Sequence, residues 1–219
     1  MNIEKARFNM IEQQIRPWDV LDQDVLDLLV VVKREAFVPA AYKSLAFVDT
    51  EIPLPGGEHM FAPKMEARIL QEIGIKKHEH VLEIGAGSGY MAALLAHKAR
   101  YVTTVEIDPA LKALAAGNLA SYGVANVEVV QGNGAQGWPA GGEAAYDAIV
   151  VSGSLPVLPD TLLKQIKIGG RIFAIIGNSP VMSAQIITRV TEAAFSTVKI
   201  FETDEKPLRD AVAPSHFTF

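Results

Sequence analysis

The sequence predicts one doubly wound α/β domain, with a mostly parallel seven-stranded sheet and an N-terminal helical extension. Three observations carry this. From residue 80 onward, short apolar runs alternate with helical segments, which is the rhythm of right-handed βαβ crossovers. The first of those runs ends in an acid and turns through three alternate glycines into a helix. The 219 residues contain no repeat, low-complexity tract or linker-like stretch, and this length suits a single core.

Taken in chain order, residues 1–75 read as N-terminal helices and a loop leading to the active site. Residues 76–205 read as the α/β core, and 206–219 as a tail. Helices are expected over 4–15 and 22–33, the second capped by Asp22 ahead of Val25, Leu26, Leu28 and Leu29. Pro39, Pro53 and Pro55 mark a loop-rich stretch, and Gly56–Gly57 a turn. A helix over 64–74 follows from Met65, Ile69 and Ile73. The buried strands are expected at 80–84, 101–107, 127–131, 146–151 and 171–176. Helices are expected between them at 89–97, 109–122 and 159–168, with Asp108 and Pro109 as cap and first turn of the second. Two last strands, 185–190 and 197–202, have no long helix between them and predict an antiparallel edge.

Composition narrows the function. The absence of cysteine removes disulfides, thiolate zinc sites and a cysteine nucleophile. A net charge of −5 offers no basic footprint, so nucleic acid is not an expected partner. The apolar runs LLVVV and AIVV are too short to span a bilayer, and the N-terminal MNIEKARFNM has no apolar signal-peptide region. The expectation is a cytoplasmic protein with no membrane partner.

The chemistry centres on Val81-Leu82-Glu83-Ile84-Gly85-Ala86-Gly87-Ser88-Gly89-Tyr90. Glycines permit the tight turn and a close ligand approach, and the helix that follows offers free N–H groups. A dinucleotide turn wants G-x-G-x-x-G around a pyrophosphate; here the third glycine comes one residue early. Glu83 would repel a diphosphate but suits a sulfonium, so the E-x-G-x-G-x-G pattern favours S-adenosylmethionine over NAD. Glu106 closes the next strand 21 residues beyond Gly85, where an acid can accept from both ribose hydroxyls, with Ile107 beside it. Asn133 and Gly134 follow the third strand; the amide can meet the adenine edge, and glycine lets the backbone come near. The cofactor set is therefore Glu83, Gly85, Gly87, Glu106, Ile107, Asn133 and Gly134.

Other residue types add less. His59, His78, His80, His97 and His216 show no i, i+4 ligand spacing with a carboxylate, so no metal is expected; His59 stands out only for lying in the expected active-site segment. Ser152-Gly153-Ser154-Leu155-Pro156 is not a hydrolase elbow, but its position after a strand makes Ser152 and Ser154 candidates for the acceptor pocket. Trp18, Phe37, Tyr42 and Phe47 read as core.

Residues of roughly 6–190 resemble the protein-L-isoaspartate O-methyltransferases, a family of Rossmann-like, S-adenosylmethionine-dependent enzymes. The resemblance rests on MIEQQIRPWDVLDQDVLDLL, on VKREAFVPAAY at 32–42 against the pattern V-x-R-x-x-F-V-P-x-x-Y, on IPLPGG, and on 146–177 with its paired glycines. It implies methyl-ester formation on damaged aspartyl residues of peptides or proteins, for repair, and an unusual order of the last two strands. It also implies an acceptor site built around the family's T-I-S-x-P segment.

Here that segment reads His59-Met60-Phe61-Ala62-Pro63-Lys64, with Phe61 in the serine's place. Met60, Phe61 and Lys64 are thus acceptor-site candidates, Lys64 as a charged substitute for the lost donor. Asn133 replaces the aspartate of the family's G-D-G, and its amide oxygen still accepts. Because phenylalanine cannot orient a carboxylate, a small aromatic acceptor and a non-catalytic S-adenosylmethionine-binding protein stand as alternatives.

Overall fold

The computed structural model describes residues 2–138 and 142–212; His216 and Pro214 of the tail lie outside them. The chain begins with α1 (Ile3–Met10), which runs on through a π-helical turn (Ile11–Ile15) and a 3-10 turn (Arg16–Trp18). The expected helix over 4–15 is thus only half α-helical, because Pro17 just beyond it has no N–H to continue the ladder. Then come α2 (Gln23–Val31), the short antiparallel strands β1 (Ile52–Pro53) and β2 (His59–Met60), and α3 (Pro63–Ile73). Asp22 caps α2 through Asp24 N at 2.9 Å. At its other end the Tyr122 hydroxyl donates to the Val31 carbonyl and accepts from Lys33 N, so the helix stops two residues short of the expected 33.

The core alternates β3 (His80–Ile84), α4 (Tyr90–Lys98), β4 (Tyr101–Glu106), α5 (Pro109–Tyr122), β5 (Val127–Gln131), β6 (Tyr146–Leu155), α6 (Asp160–Gln165) and β7 (Ile166–Asn178). It ends with β8 (Val181–Arg189) and β9 (Phe195–Thr203). The seven-stranded sheet has the order β5-β4-β3-β6-β7-β8-β9. The first five strands are parallel, while β8 and β9 add antiparallel, in chain order, at the edge.

Both faces of the central strands are buried, while β5 is half-buried and β9 largely exposed, and period-two alternation sorts the central side chains between the faces. Val81, Val102, Val150, Phe173 and Ile175 face α4, α5 and the N-terminal helices. Leu82, Ile84, Val151, Ile172 and Ala174 face the other way, toward Leu162 of α6 and the tail residues Leu208 and Ala211.

Further boundaries depart from the sequence expectation, among them β8, which begins at Val181 instead of 185. The helix expected over 159–168 ends at Gln165, because Ala144 N and Ala145 N take the carbonyls of Lys164 and Gln165 and draw Ile166 into the sheet opposite Tyr146. β6 runs on past Val151 to Leu155, because the tail pairs alongside it: Ser154 N donates to Lys206 O, and Leu208 N to Ser154 O. Among the described residues, no helix is long and apolar enough to cross a membrane.

Candidate functional site

A cavity with an empty volume of about 880 Å³, part of it open to solvent, lies at the carboxyl ends of β3, β4, β5 and β6. Open α/β sheets bind ligands at this end of the strands. Glu83, Gly85, Gly87, Glu106, Ile107, Asn133 and Gly134 all line it, as do Met60, Phe61 and Ser152.

The glycine bend is locally required. Gly85, Gly87 and Gly89 all have positive φ, at 97°, 52° and 83°. A Cβ on Gly85 would stand 2.9 Å from the Ser152 carbonyl oxygen. Farther along the cavity, a Cβ on Gly134 would stand 2.8 Å from the Ile84 side chain. The bend is also held from the next strand. Glu106 accepts from Gly87 N at 2.9 Å through one carboxylate oxygen and from Asp108 N at 3.0 Å through the other. Asp108 in turn caps α5 through Ala110 N and Leu111 N.

Glu83 is fully buried at the floor. The Thr104 hydroxyl donates to one of its oxygens at 2.7 Å and the Ser152 hydroxyl to the other at 3.0 Å. Burial pushes its carboxyl up to about 8, the two hydroxyls oppose that rise, and the Glu106 charge adds to it.

Asn133 turns its amide oxygen to Ala135 N at 2.9 Å and its amide nitrogen to Asp210 at 3.3 Å. Its oxygen therefore shapes the loop, and its nitrogen reaches the tail.

Phe61 and Met60 are buried in the wall formed by β2 and the start of α3. Arg34, also buried, fixes that wall: its Nη2 donates to Phe61 O at 2.8 Å, its Nε to Ala46 O at 3.1 Å, and its Nη1 to Glu66. Burial lifts the Glu66 carboxyl to about 7 against the pull of Arg34.

Two candidates fall away from the cavity. Lys64 pairs with Asp49 at 2.7 Å and lies over the Trp18 ring, so it does not replace the missing serine donor. Ser154 is completely buried and donates to Glu205 O at 2.7 Å, which makes it a clasp for the tail rather than a pocket wall.

The sequence left open whether the tail beyond Glu202 covers the pocket. Lys206, Pro207, Leu208 and Arg209 close one side of the cavity. Arg209 reaches Glu58 at 2.7 Å and Asp108 at 3.1 Å, and Lys206 reaches Glu58 at 2.8 Å. His59, which also lines the cavity, has Glu51 and Glu205 carboxylate oxygens at 3.4 and 3.7 Å from its Nε2.

Residues 5–205 match the family model described as protein-L-isoaspartate(D-aspartate) O-methyltransferase. A protein-L-isoaspartate O-methyltransferase of Rhodopseudomonas palustris is 42% identical over 193 residues, covering 88% of this chain and 77% of that one. Another, from a second strain of the species, is 38% identical and covers 92% of each chain. Among solved structures, a candidate protein-L-isoaspartate O-methyltransferase of Plasmodium falciparum, in complex with S-adenosyl-L-homocysteine, superposes with a TM-score of 0.80. It is 20% identical and is matched over 95% of this chain and 99% of that one, a likeness of fold.

Proposed function

Because the chain belongs to the protein-L-isoaspartate(D-aspartate) O-methyltransferase family, we propose that it methylates the carboxylate of isoaspartyl residues in peptides or proteins, with S-adenosylmethionine as donor. The observation that carries this reading is the single cavity that joins the glycine bend to the segment around Phe61. The family relationship runs through both, which favours a peptide carboxylate over a small aromatic acceptor.

The lining fits the cofactor. Glu106 offers carboxylate lone pairs beside a bend stripped of side chains, and Glu83 is a buried acid surrounded by hydroxyls and other carboxylates. When bound, S-adenosylmethionine supplies an electrophilic methyl group carried on a sulfonium. We assign the sugar to Glu106, the positive charge to Glu83, and the nucleoside walls to Ile107, Asn133 and Gly134, with Gly85 and Gly87 giving the backbone room.

An aspartyl-type carboxylate has an ordinary pKa of about 3.9 and is ionised at pH 7. The chain therefore needs no general base, and its residues have to align and shield the acceptor. Alignment alone can be worth roughly 7–11 kcal/mol in favourable systems. Met60, Phe61 and Ser152 are the residues we assign to that wall. Phe61 contributes shape and exclusion of water where the family's serine would contribute a hydrogen bond.

The test is incubation of the protein with methyl-labelled S-adenosylmethionine and a peptide in isoaspartyl and normal aspartyl forms. Base-labile methyl ester is expected on the isoaspartyl form alone. No ester above background on either form would overturn the reading.

A further inference from the structure

Glu51, His59 and Glu205 come from three separate stretches of chain, yet one donor atom of each lies within 4.8 Å of the others. The two carboxylates address the same imidazole nitrogen. Glu51 Oε1 is 3.4 Å and Glu205 Oε2 3.7 Å from His59 Nε2. These are long for hydrogen bonds, which cluster near 2.9–3.0 Å. They are near the spacing of donors around a tetrahedral ion: metal–ligand distances of about 2.0–2.2 Å put neighbouring ligands roughly 3.3–3.6 Å apart.

The second observation concerns Glu205 itself. Its side chain is only 8% exposed, and its Oε2, the atom turned toward His59, has no hydrogen-bond partner among the described residues. A buried carboxylate oxygen left in this way is costly unless a cation or a proton meets it, and the His59 imidazolium, which Glu205 and Glu51 both favour, meets it only at 3.7 Å. Glu51, 47% exposed, leaves the approach to the cluster open from solvent.

We propose that Glu51, His59 and Glu205 form a site for one divalent cation, zinc(II) by its donor set. One imidazole and two carboxylates are typical zinc ligands, and three protein ligands leave a fourth position for water. An imidazole donor disfavours magnesium and calcium, which take oxygen ligands. The ligands stand eight and 146 residues apart in sequence, so helical i, i+4 spacing gives no sign of them. Bound there, the ion ties the β1–β2 segment to the chain that leaves β9 and roofs the cavity.

The experiment uses the full chain, stripped with a chelator and dialysed into metal-free buffer at pH 7.5. Zinc chloride alone is titrated in by calorimetry. One equivalent is expected to bind, with affinity at least tenfold weaker in Glu51→Gln and in His59→Asn. Zinc should raise the melting temperature of the wild type and not of Glu51→Gln. Cobalt(II) should give the intense visible absorption of a tetrahedral site in the wild type only. Glu51→Gln changes an exposed side chain and keeps the test valid if the His59 variant fails to fold. Absence of zinc binding, or binding of equal strength in wild type and Glu51→Gln, would overturn the proposal. The readout is metal binding itself and stands whatever the methyl acceptor proves to be.

Discussion

The Arg34 guanidinium holds the Phe61 carbonyl oxygen at 2.8 Å, tying the segment around residues 32–42 to the cavity wall. The same guanidinium pairs with the buried Glu66 and lies over the Tyr90 ring at 5.4 Å. Removing one partner of a buried pair typically costs about 3–5 kcal/mol. Arg34→Met is expected to fall at the low end of that range, because Glu66, already lifted to about 7 by burial, can take up a proton. Arg34→Met with Glu66→Leu should recover stability in urea unfolding but not the KM for the peptide, since the Phe61 carbonyl still lacks its donor. Full recovery of both would mean that Arg34 contributes packing alone.

Glu83 is expected to make cofactor binding depend on pH. With its carboxyl at about 8, some nine-tenths of the ligand-free protein holds that proton at pH 7. A cation bound beside it favours the carboxylate, so binding releases the proton. Affinity should therefore climb with pH, approaching tenfold per unit, and level off above about pH 8. Calorimetry of S-adenosylmethionine at pH 7 in buffers of different ionisation heat should report release of up to about 0.9 proton, lost in Glu83→Gln. The sign for stability is the opposite. A carboxyl raised in the folded state binds more protons folded than unfolded, so its contribution is complete below the ordinary carboxylate range and is lost as pH rises toward 8. Ligand-free wild type should thus lose stability relative to Glu83→Gln over that window.

What the sequence disclosed is what local chemistry determines. β3, β5 and α5 lie where expected because the acid–glycine bend, the Asp108 cap with Pro109, and the left-handed Gly123 fix their ends within a few residues. The cavity floor was legible for the same reason: Glu83, Gly85, Gly87 and Glu106 sit at strand ends. Contacts across the chain were not legible. Lys64 finds Asp49 and Trp18 instead of the cavity, and Ser154 finds Glu205. β6 owes its last residues, and the cavity its roof, to pairing between Ser154 and the tail. No local pattern around Pro207 announces that partnership.

Glu106 holds the bend, besides the sugar we assign to it. Glutamine in its place keeps the shape but leaves one oxygen to accept, so Gly87 N or Asp108 N loses its partner. Hydrogen bonds to charged groups are worth about 1.5–3 kcal/mol each. Glu106→Gln is expected to weaken S-adenosylhomocysteine binding about 10- to 100-fold in calorimetry, with the fold intact by circular dichroism. Unchanged affinity would mean that Glu106 does not meet the sugar.

The roof is fastened by charge. Glu58 receives Arg209 and Lys206 on its two carboxylate oxygens, and those bonds hold it below its ordinary value despite partial burial. Arg209 continues to Asp108, one residue removed from Ile107 and two from Glu106. These pairs are partly exposed, and each is worth no more than about 1 kcal/mol to stability. Glu58→Gln should therefore leave the unfolding free energy within about 2 kcal/mol of wild type. Its effect belongs in binding: Lys206 and Arg209 lose their shared carboxylate, and the roof is held less firmly over the cavity by what remains, including the Arg209–Asp108 pair and the Ser154 pairing. KM should rise several-fold while kcat changes less. Salt separates this from a steric effect, since screening shortens to about 3 Å at 1 M. Raising ionic strength should carry the wild-type KM toward the variant's and leave the variant nearly unmoved. Parallel salt curves would mean that the three charges do not hold the roof.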